Sequence, residues 1–135
     1  MKTKPYLTLD DARKIAAAAG AHAESRNWAV SICITDEGGH IVLMQRADGA
    51  APFTAQMALA KSSTASLGRR ESKAFEDMIN QGRTAFVTAP LTGMLEGGVP
   101  ILIDGHVVGA VGVSGVKSAE DAEIARAGIA ALGAG

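Results

Sequence analysis

The stretch "GGVPILIDGHVVGAVGVSG", residues 97–115, decides the fold of this 135-residue chain. Aliphatic side chains flank Asp104-Gly105 on both sides, and an Asp-Gly dipeptide in that setting is typical of a two-residue type I′ turn. The stretch is therefore predicted to form a β-hairpin. The expected cross-strand pairs are Ile103 with His106, Leu102 with Val107, Ile101 with Val108, Pro100 with Gly109, Val99 with Ala110 and Gly98 with Val111.

The glycines of this hairpin do not form a phosphate-binding motif. Gly109, Gly112 and Gly115 are spaced by three, whereas a dinucleotide fingerprint needs G-x-G-x-x-G between a strand and a helix. A P-loop needs glycine directly before lysine, and Val116 intervenes here. Glycine within a strand instead permits close approach of a helix, a neighbouring chain or a ligand. Both faces of the hairpin are apolar or small, so we expect helices on one face and a helix, ligand or second subunit on the other.

The remaining elements follow from periodicity and capping signals. "TLDD" is a capping box with Thr8 as N-cap and Asp11 as its partner, and it begins a helix that ends near Arg26. Alternation over residues 30–35, the turn "DEGG" and the return strand 40–46 form another hairpin. Helices are predicted over 52–67 and 71–82, a loop over 83–96, and a C-terminal helix capped by Ser118 and Asp121.

The predicted order is α-β-β-α-α-β-β-α. Because the strands pair as hairpins rather than through crossovers, this order predicts an α+β domain, an antiparallel sheet of two β-hairpins with helices packed on it. The length fits a single domain over residues 1–135.

Composition narrows the possible partners and the compartment. The net charge is −1 and no basic stripe is present, which argues against binding to nucleic acid or a membrane surface. A single cysteine, Cys33, excludes an internal disulfide, and the N-terminus lacks the pattern of a signal peptide, so a cytoplasmic location is expected. Aromatic residues are scarce, and a small alanine-rich core favours a homo-oligomer.

Several motifs together resemble the GlcG/HbpS-like haem-binding family, which also occurs as the C-terminal domain of some corrinoid adenosyltransferases. They are "TDEGGHIV", "RADGA", "ALAKSSTA", the 97–115 hairpin and "AEDAEIARAGIAAL", which occur in order over nearly the whole chain. One departure is Ser62, where a typical member has alanine. The resemblance implies a profilin-like fold, oligomers and, in some members, binding or degradation of haem.

Haem binding requires an axial ligand and cations for the propionates. No C-x-x-C-H is present, so attachment is not covalent. His22 lies on or beside the apolar stripe of the first helix and is either a packed, hydrogen-bonded histidine or an axial ligand at an interface. His106 and His40 follow turns, where solvent exposure is the simpler expectation, and are the weaker candidates.

The family motifs also point to an anion site. Arg46 ends a strand and Lys61 lies in a helix otherwise made of small residues, and we expect the two to converge on a propionate or a substrate carboxylate. The other expected contacts are Thr64, Gly97 and Gly98. No metal-ligand spacing and no poised nucleophile is present, so no catalytic residue is assigned. The acids Glu120, Asp121 and Glu123 fit a helix N-terminus.

Three functions remain open at this point. The first is a haem- or tetrapyrrole-binding protein, as the resemblance implies. The second is a small enzyme or auxiliary factor that binds an organic acid in an Arg/Lys pocket at a subunit interface. The third is an oligomeric scaffold without catalysis.

Overall fold

The computed structural model describes residues 1–133 and contains four helices and four strands in the predicted order, with one 3-10 helix inside the predicted loop. They are α1 (Leu9–Ser25), β1 (Ser31–Asp36), β2 (Ile41–Arg46), α2 (Phe53–Gly68), α3 (Ser72–Asn80), the 3-10 helix (Thr84–Thr88), β3 (Gly98–Ile103), β4 (His106–Ser114) and α4 (Ser118–Ala130). The α+β fold is confirmed. The predicted domain range includes residues 134 and 135, which lie outside the described residues.

The strands form one antiparallel sheet in the order β2-β1-β4-β3. Helices α1 and α4 pack together on one face, where the aliphatic core lies. Helix α2 packs on the other face, against β1, β3 and β4. Since helices cover both faces, the hairpin does not need a second subunit to cover it, and that part of the argument for an oligomer is wrong.

The 97–115 hairpin has the predicted turn, but the pairing of its strands farther from the turn differs from the prediction. Asp104 and Gly105 have φ of 50° and 77°, the positive values that a type I′ turn requires. The first two pairs are as predicted, but a β-bulge leaves Val108 unpaired and shifts every later pair by one residue. The observed pairs are Ile101 with Gly109, Pro100 with Ala110, Val99 with Val111 and Gly98 with Gly112.

The bulge places two glycines opposite each other beneath α2. A Cβ at Gly98 would overlap the carbonyl oxygen of Lys61, and one at Gly112 would overlap that of Ala58. The expected close approach at Gly112 is therefore to a helix of the same chain. Because neither glycine has a side chain, the backbone of α2 lies directly on the backbone of the strands. Any larger residue at these two positions would prevent this short distance between helix and sheet.

Hydroxyl groups hold α2 on the sheet. Ser62 donates to the carbonyl of Ala110 at 3.0 Å and lies 2.8 Å from the hydroxyl of Thr35, while Thr54 lies 2.8 Å from Ser31. All of these side chains are buried. The departure at Ser62 thus has a structural role, because its hydroxyl adds a hydrogen bond to the sheet that alanine cannot make.

The two predicted capping boxes have different outcomes. Thr8 accepts from the N–H of Asp11 at 3.1 Å, and Asp11 accepts from that of Thr8 at 3.0 Å, as predicted. At α4 the prediction is wrong: the N-cap is Lys117, whose N–H donates to Glu120. Asp121 is occupied by a tertiary contact instead, described below.

Candidate functional site

A cavity of about 440 Å³ opens where the start of α2, the end of β4 and the start of α4 meet. Small residues form most of its wall, with apolar side chains and one ion pair. The lining residues are Ala29, Gly49, Ala50, Ala51, Phe53, Thr54, Met57, Lys61, Leu95, Ser114, Gly115, Val116, Ser118 and Asp121. We call it the Lys61 cavity.

The ion pair in this cavity is buried. The ammonium of Lys61 donates to Asp121 at 3.1 Å and to the carbonyl of Val113 at 3.0 Å, and the two charged side chains are 5% and 3% exposed. The second oxygen of Asp121 accepts from the N–H of Val116 at 3.1 Å. Asp121 is therefore the acidic partner that a buried lysine in α2 requires.

Burial dominates the electrostatics of Asp121. Loss of solvent raises the pKa of its carboxyl group, while the charge and hydrogen bond of Lys61 and the N–H of Val116 act in the opposite direction. The carboxylate is thus held in place at an energetic cost that its two partners partly offset. Removing either partner raises that cost.

Ser114 is a buried residue whose hydroxyl has no hydrogen-bond partner among residues 1–133 but is not sealed from solvent. Its side chain lines the Lys61 cavity and the residue is only 6% exposed, yet its hydroxyl makes no hydrogen bond to any described residue. Lys61 likewise has three ammonium protons and two bonds within this range. Both groups have hydrogen-bonding capacity left for an occupant of the cavity.

Gly97 and Gly98 lie against Lys61. Gly97 has φ of 136°, and a Cβ there would come within 2.9 Å of the Lys61 ammonium nitrogen. The N–H of Gly98 donates to Ser72 at 2.8 Å. Thr64 is buried and donates to the carbonyl of Thr92, so its hydroxyl fixes the loop before β3.

Arg46 and Lys61 do not meet in this cavity. Arg46 is exposed at the end of β2 and is not among the described residues that line the Lys61 cavity. The anion beside Lys61 is supplied by the chain itself, through Asp121. The geometry therefore does not support a shared anion between Arg46 and Lys61.

His22 lies on α1, on the side that faces α4. Its Nε2 is 2.6 Å from a carboxylate oxygen of Glu123, and its ring meets Trp28 edge to face with centroids 6.4 Å apart. This hydrogen bond lowers the pKa of Glu123. Because an ionised carboxylate only accepts, Nε2 carries the hydrogen, and Nδ1 is the nitrogen free to act as a ligand in the neutral ring.

The other candidates lie elsewhere. His40 and His106 are exposed near the two hairpin turns. Burial raises the pKa of the Cys33 thiol to about 12, as expected for a core cysteine that is not a nucleophile. A more open groove of about 630 Å³ beside Trp28 is lined by acidic and small residues, with no lysine, arginine or histidine from the described range, and is unsuited to an anion.

Sequence reasoning missed Asp121 and Ser114 as site residues. Asp121 stands where a helix-capping acid is common, so a local explanation sufficed. The sequence signal that indicates it is Lys61, the lone charged residue on a helix of small residues. If this lysine is buried, it needs an acidic partner. Nothing in the sequence around Ser114 distinguishes it from an ordinary strand residue.

Comparisons with known proteins agree with this fold over nearly its whole length. A family model described as haem degrading protein HbpS-like matches residues 7–130. Protein GlcG of Escherichia coli is 53% identical over 114 residues, which cover 84% of this chain and 85% of GlcG. No helix within residues 1–133 is long and apolar enough to cross a membrane.

Solved structures of similar proteins have the same architecture. A double mutant of Streptomyces reticuli HbpS is 33% identical with a TM-score of 0.89, covering 99% of this chain and 92% of HbpS. PduOC, solved as a haem complex, has a TM-score of 0.86 at 24% identity over 97% of this chain and 98% of its own, which shows the shared fold alone. The chain belongs to the HbpS-like family.

Proposed function

We propose that this protein binds haem, or a closely related tetrapyrrole, reversibly and without a covalent bond. The observation that carries the proposal is the match of residues 7–130 to a family described as haem degrading. The sequence motifs that resemble this family support the same conclusion. A bound haem would supply an iron centre open to axial ligands.

His22 is our proposed axial ligand. Glu123 accepts its Nε2 hydrogen at 2.6 Å, which fixes the ring tautomer and leaves Nδ1 as the basic nitrogen. The side chain is 26% exposed, so a ligand can approach it from the surface. Arg26, 3.6 Å from the same carboxylate, is a cation on the same surface for a propionate.

His22 and Lys61 lie on different sides of α4. Their partners Glu123 and Asp121 are two positions apart, which is about 200° around a helix. One haem would therefore contact both only if they came from two subunits. Met57 is a second candidate iron ligand, because its thioether lies in the Lys61 cavity together with an apolar rim of Phe53 and Leu95.

Titration with haemin, followed by absorbance, tests the proposal. We expect saturable binding with a shifted Soret band, and His22→Ala is expected to change the spectrum and weaken binding about tenfold or more because an axial bond is lost. His40→Ala and His106→Ala are matched controls on exposed histidines. If Met57→Leu alone changes the spectrum, the ligand is in the Lys61 cavity and His22 is wrong. Haemin that partitions without saturation contradicts the function.

We also propose that the protein forms a homo-oligomer, since large apolar side chains remain exposed. Phe53 is 62% exposed and Leu67 and Leu102 are about half exposed, and burying such side chains against a second copy would add apolar area to a small core that is poor in aromatic residues. Light scattering at micromolar concentration is expected to return a multiple of 13.7 kDa. A mass of 13.7 kDa at that concentration contradicts the proposal.

A further inference from the structure

We infer that the Lys61 cavity is a binding site for a carboxylate group carried on a short carbon chain, and that it binds this group in the absence of haem. The inference rests on the geometry of the cavity and not on the haem proposal. The same chemistry is offered by a free acid and by a haem propionate, and the experiment below separates the two sources.

The electrostatics of the cavity favour an anion. Lys61 and Asp121 balance each other, and both oxygens of Asp121 are already engaged, one by Lys61 and one by the N–H of Val116. Two helix N-termini face the cavity, α2 through Phe53 and α4 through Ser118. Each contributes a partial positive charge of about +0.5.

Hydrogen-bond donors are present where the anion would lie. Lys61 has an ammonium proton, and Ser114 a hydroxyl, without a partner among residues 1–133, and both residues are more than nine-tenths buried. At the start of α4 the N–H groups of residues 118–120 precede the first helical hydrogen bond, whereas in α2 those of Thr54 and Ala55 already donate to backbone carbonyls. Glu120, the other acid at the start of α4, accepts from the N–H of Lys117 and does not line the cavity.

The walls limit the size of the acid. The buried residues of the lining are polar and form its base, while Phe53, Met57 and Leu95 form an apolar side. The buried residues are Thr54, Lys61, Ser114 and Asp121. A carboxylate at the base with a short carbon chain along that side satisfies both surfaces. A volume of about 440 Å³ accommodates an acid of a few carbons and excludes a whole macrocycle from the base.

Titration of the haem-free protein with sodium propionate, followed by amide chemical shifts, tests this inference. We expect saturable shifts for Phe53–Thr54 and for Gly115–Ser118, with a dissociation constant on the order of 1 mM. The uncharged isostere propionamide is expected to bind at least about tenfold more weakly, since it lacks the charge that strengthens the hydrogen bonds.

Ser114→Ala is the principal variant because its hydroxyl supports no contact within residues 1–133, so the fold should be retained. It is expected to weaken propionate binding about tenfold, the value of one hydrogen bond to a charged group. Ser63→Ala, on the same helix as Lys61 but bonded to the carbonyl of Gly39, is the matched control and should leave binding unchanged. Unsaturated shifts, equal affinity for propionamide, or no effect of Ser114→Ala overturns the inference.

Haem and its dimethyl ester, which has no free carboxylate, identify the source of the group. If haem displaces propionate and the ester does not, the site takes a haem propionate; if neither displaces it, the site takes a free acid. Propionate binding without haem binding leaves this inference standing and contradicts the proposed function. Haem binding without propionate binding supports the proposed function and contradicts this inference.

Discussion

Gly112→Ala is expected to lower the free energy of unfolding by about 3 kcal/mol or more, the upper range for overpacking, because the obstacle is backbone. The new methyl group would overlap the carbonyl oxygen of Ala58 and lie 2.6 Å from the nitrogen of Ser62. Backbone atoms of a helix cannot rotate away as a side chain can, so α2 would have to lift from the sheet. Denaturant unfolding followed by circular dichroism measures the loss.

Gly20→Ala is the matched control for this prediction. Gly20 lies inside α1, and the nearest atom to an added Cβ is the amide nitrogen at the end of the Gln45 side chain, 3.2 Å away. That flexible group can move, and alanine favours a helix over glycine, so stability should stay equal or rise. If the two variants unfold at the same denaturant concentration, the contact beneath α2 is not as close as described.

Lys61→Met is expected to cost about 3–5 kcal/mol at neutral pH, since it leaves the buried carboxylate of Asp121 without its cation. Lys73→Met removes a lysine from a pair of 2.7 Å that lies on the surface and should change stability little. Adding Asp121→Asn to Lys61→Met should recover most of the loss, because the amide oxygen still accepts from Val116. Equal effects of the two lysine variants contradict this account.

The cost of Lys61→Met should depend on pH in a definite direction. Burial already raises the pKa of Asp121, and Lys61 lowers it, so removal of Lys61 raises that pKa further. With the folded pKa above the unfolded one, the folded state binds more protons, and its stability rises as pH falls through the folded pKa. The deficit of the variant relative to the natural protein should therefore shrink as pH falls from neutrality toward 3.8, the ordinary pKa of an aspartate carboxyl. A constant deficit contradicts the assignment to Asp121.

Local signals in the sequence were sufficient for the fold. The Asp104-Gly105 turn and the Thr8 capping box depend on neighbours within a few residues, and both are present. The bulge at Val108 could not be predicted, because it is set by a distant element. Only the shifted register pairs Gly98 with Gly112, and this pair leaves room for α2 to pack closely on the sheet.

Only part of the candidate site was predicted from the sequence. Lys61, Gly97 and Gly98 come together, whereas Arg46 lies outside the cavity and Thr64 is used by the loop before β3. Asp121 and Ser114 join the site through the path of the chain between β4 and α4. That path follows from packing of the helices on opposite faces of the sheet, which no short motif encodes.

The bulge also constrains how the length of this chain can vary. Between Val108 and Gly112 a one-residue insertion or deletion would bring a side chain beneath α2 and turn an aliphatic residue away from the core. At the hairpin tip, residues 104–105, no helix backbone lies as close as α2 lies to Gly112. A Cβ at Gly105 meets no described atom within 4 Å. Loop grafting and peptide insertion should therefore succeed at the tip and fail a few residues later.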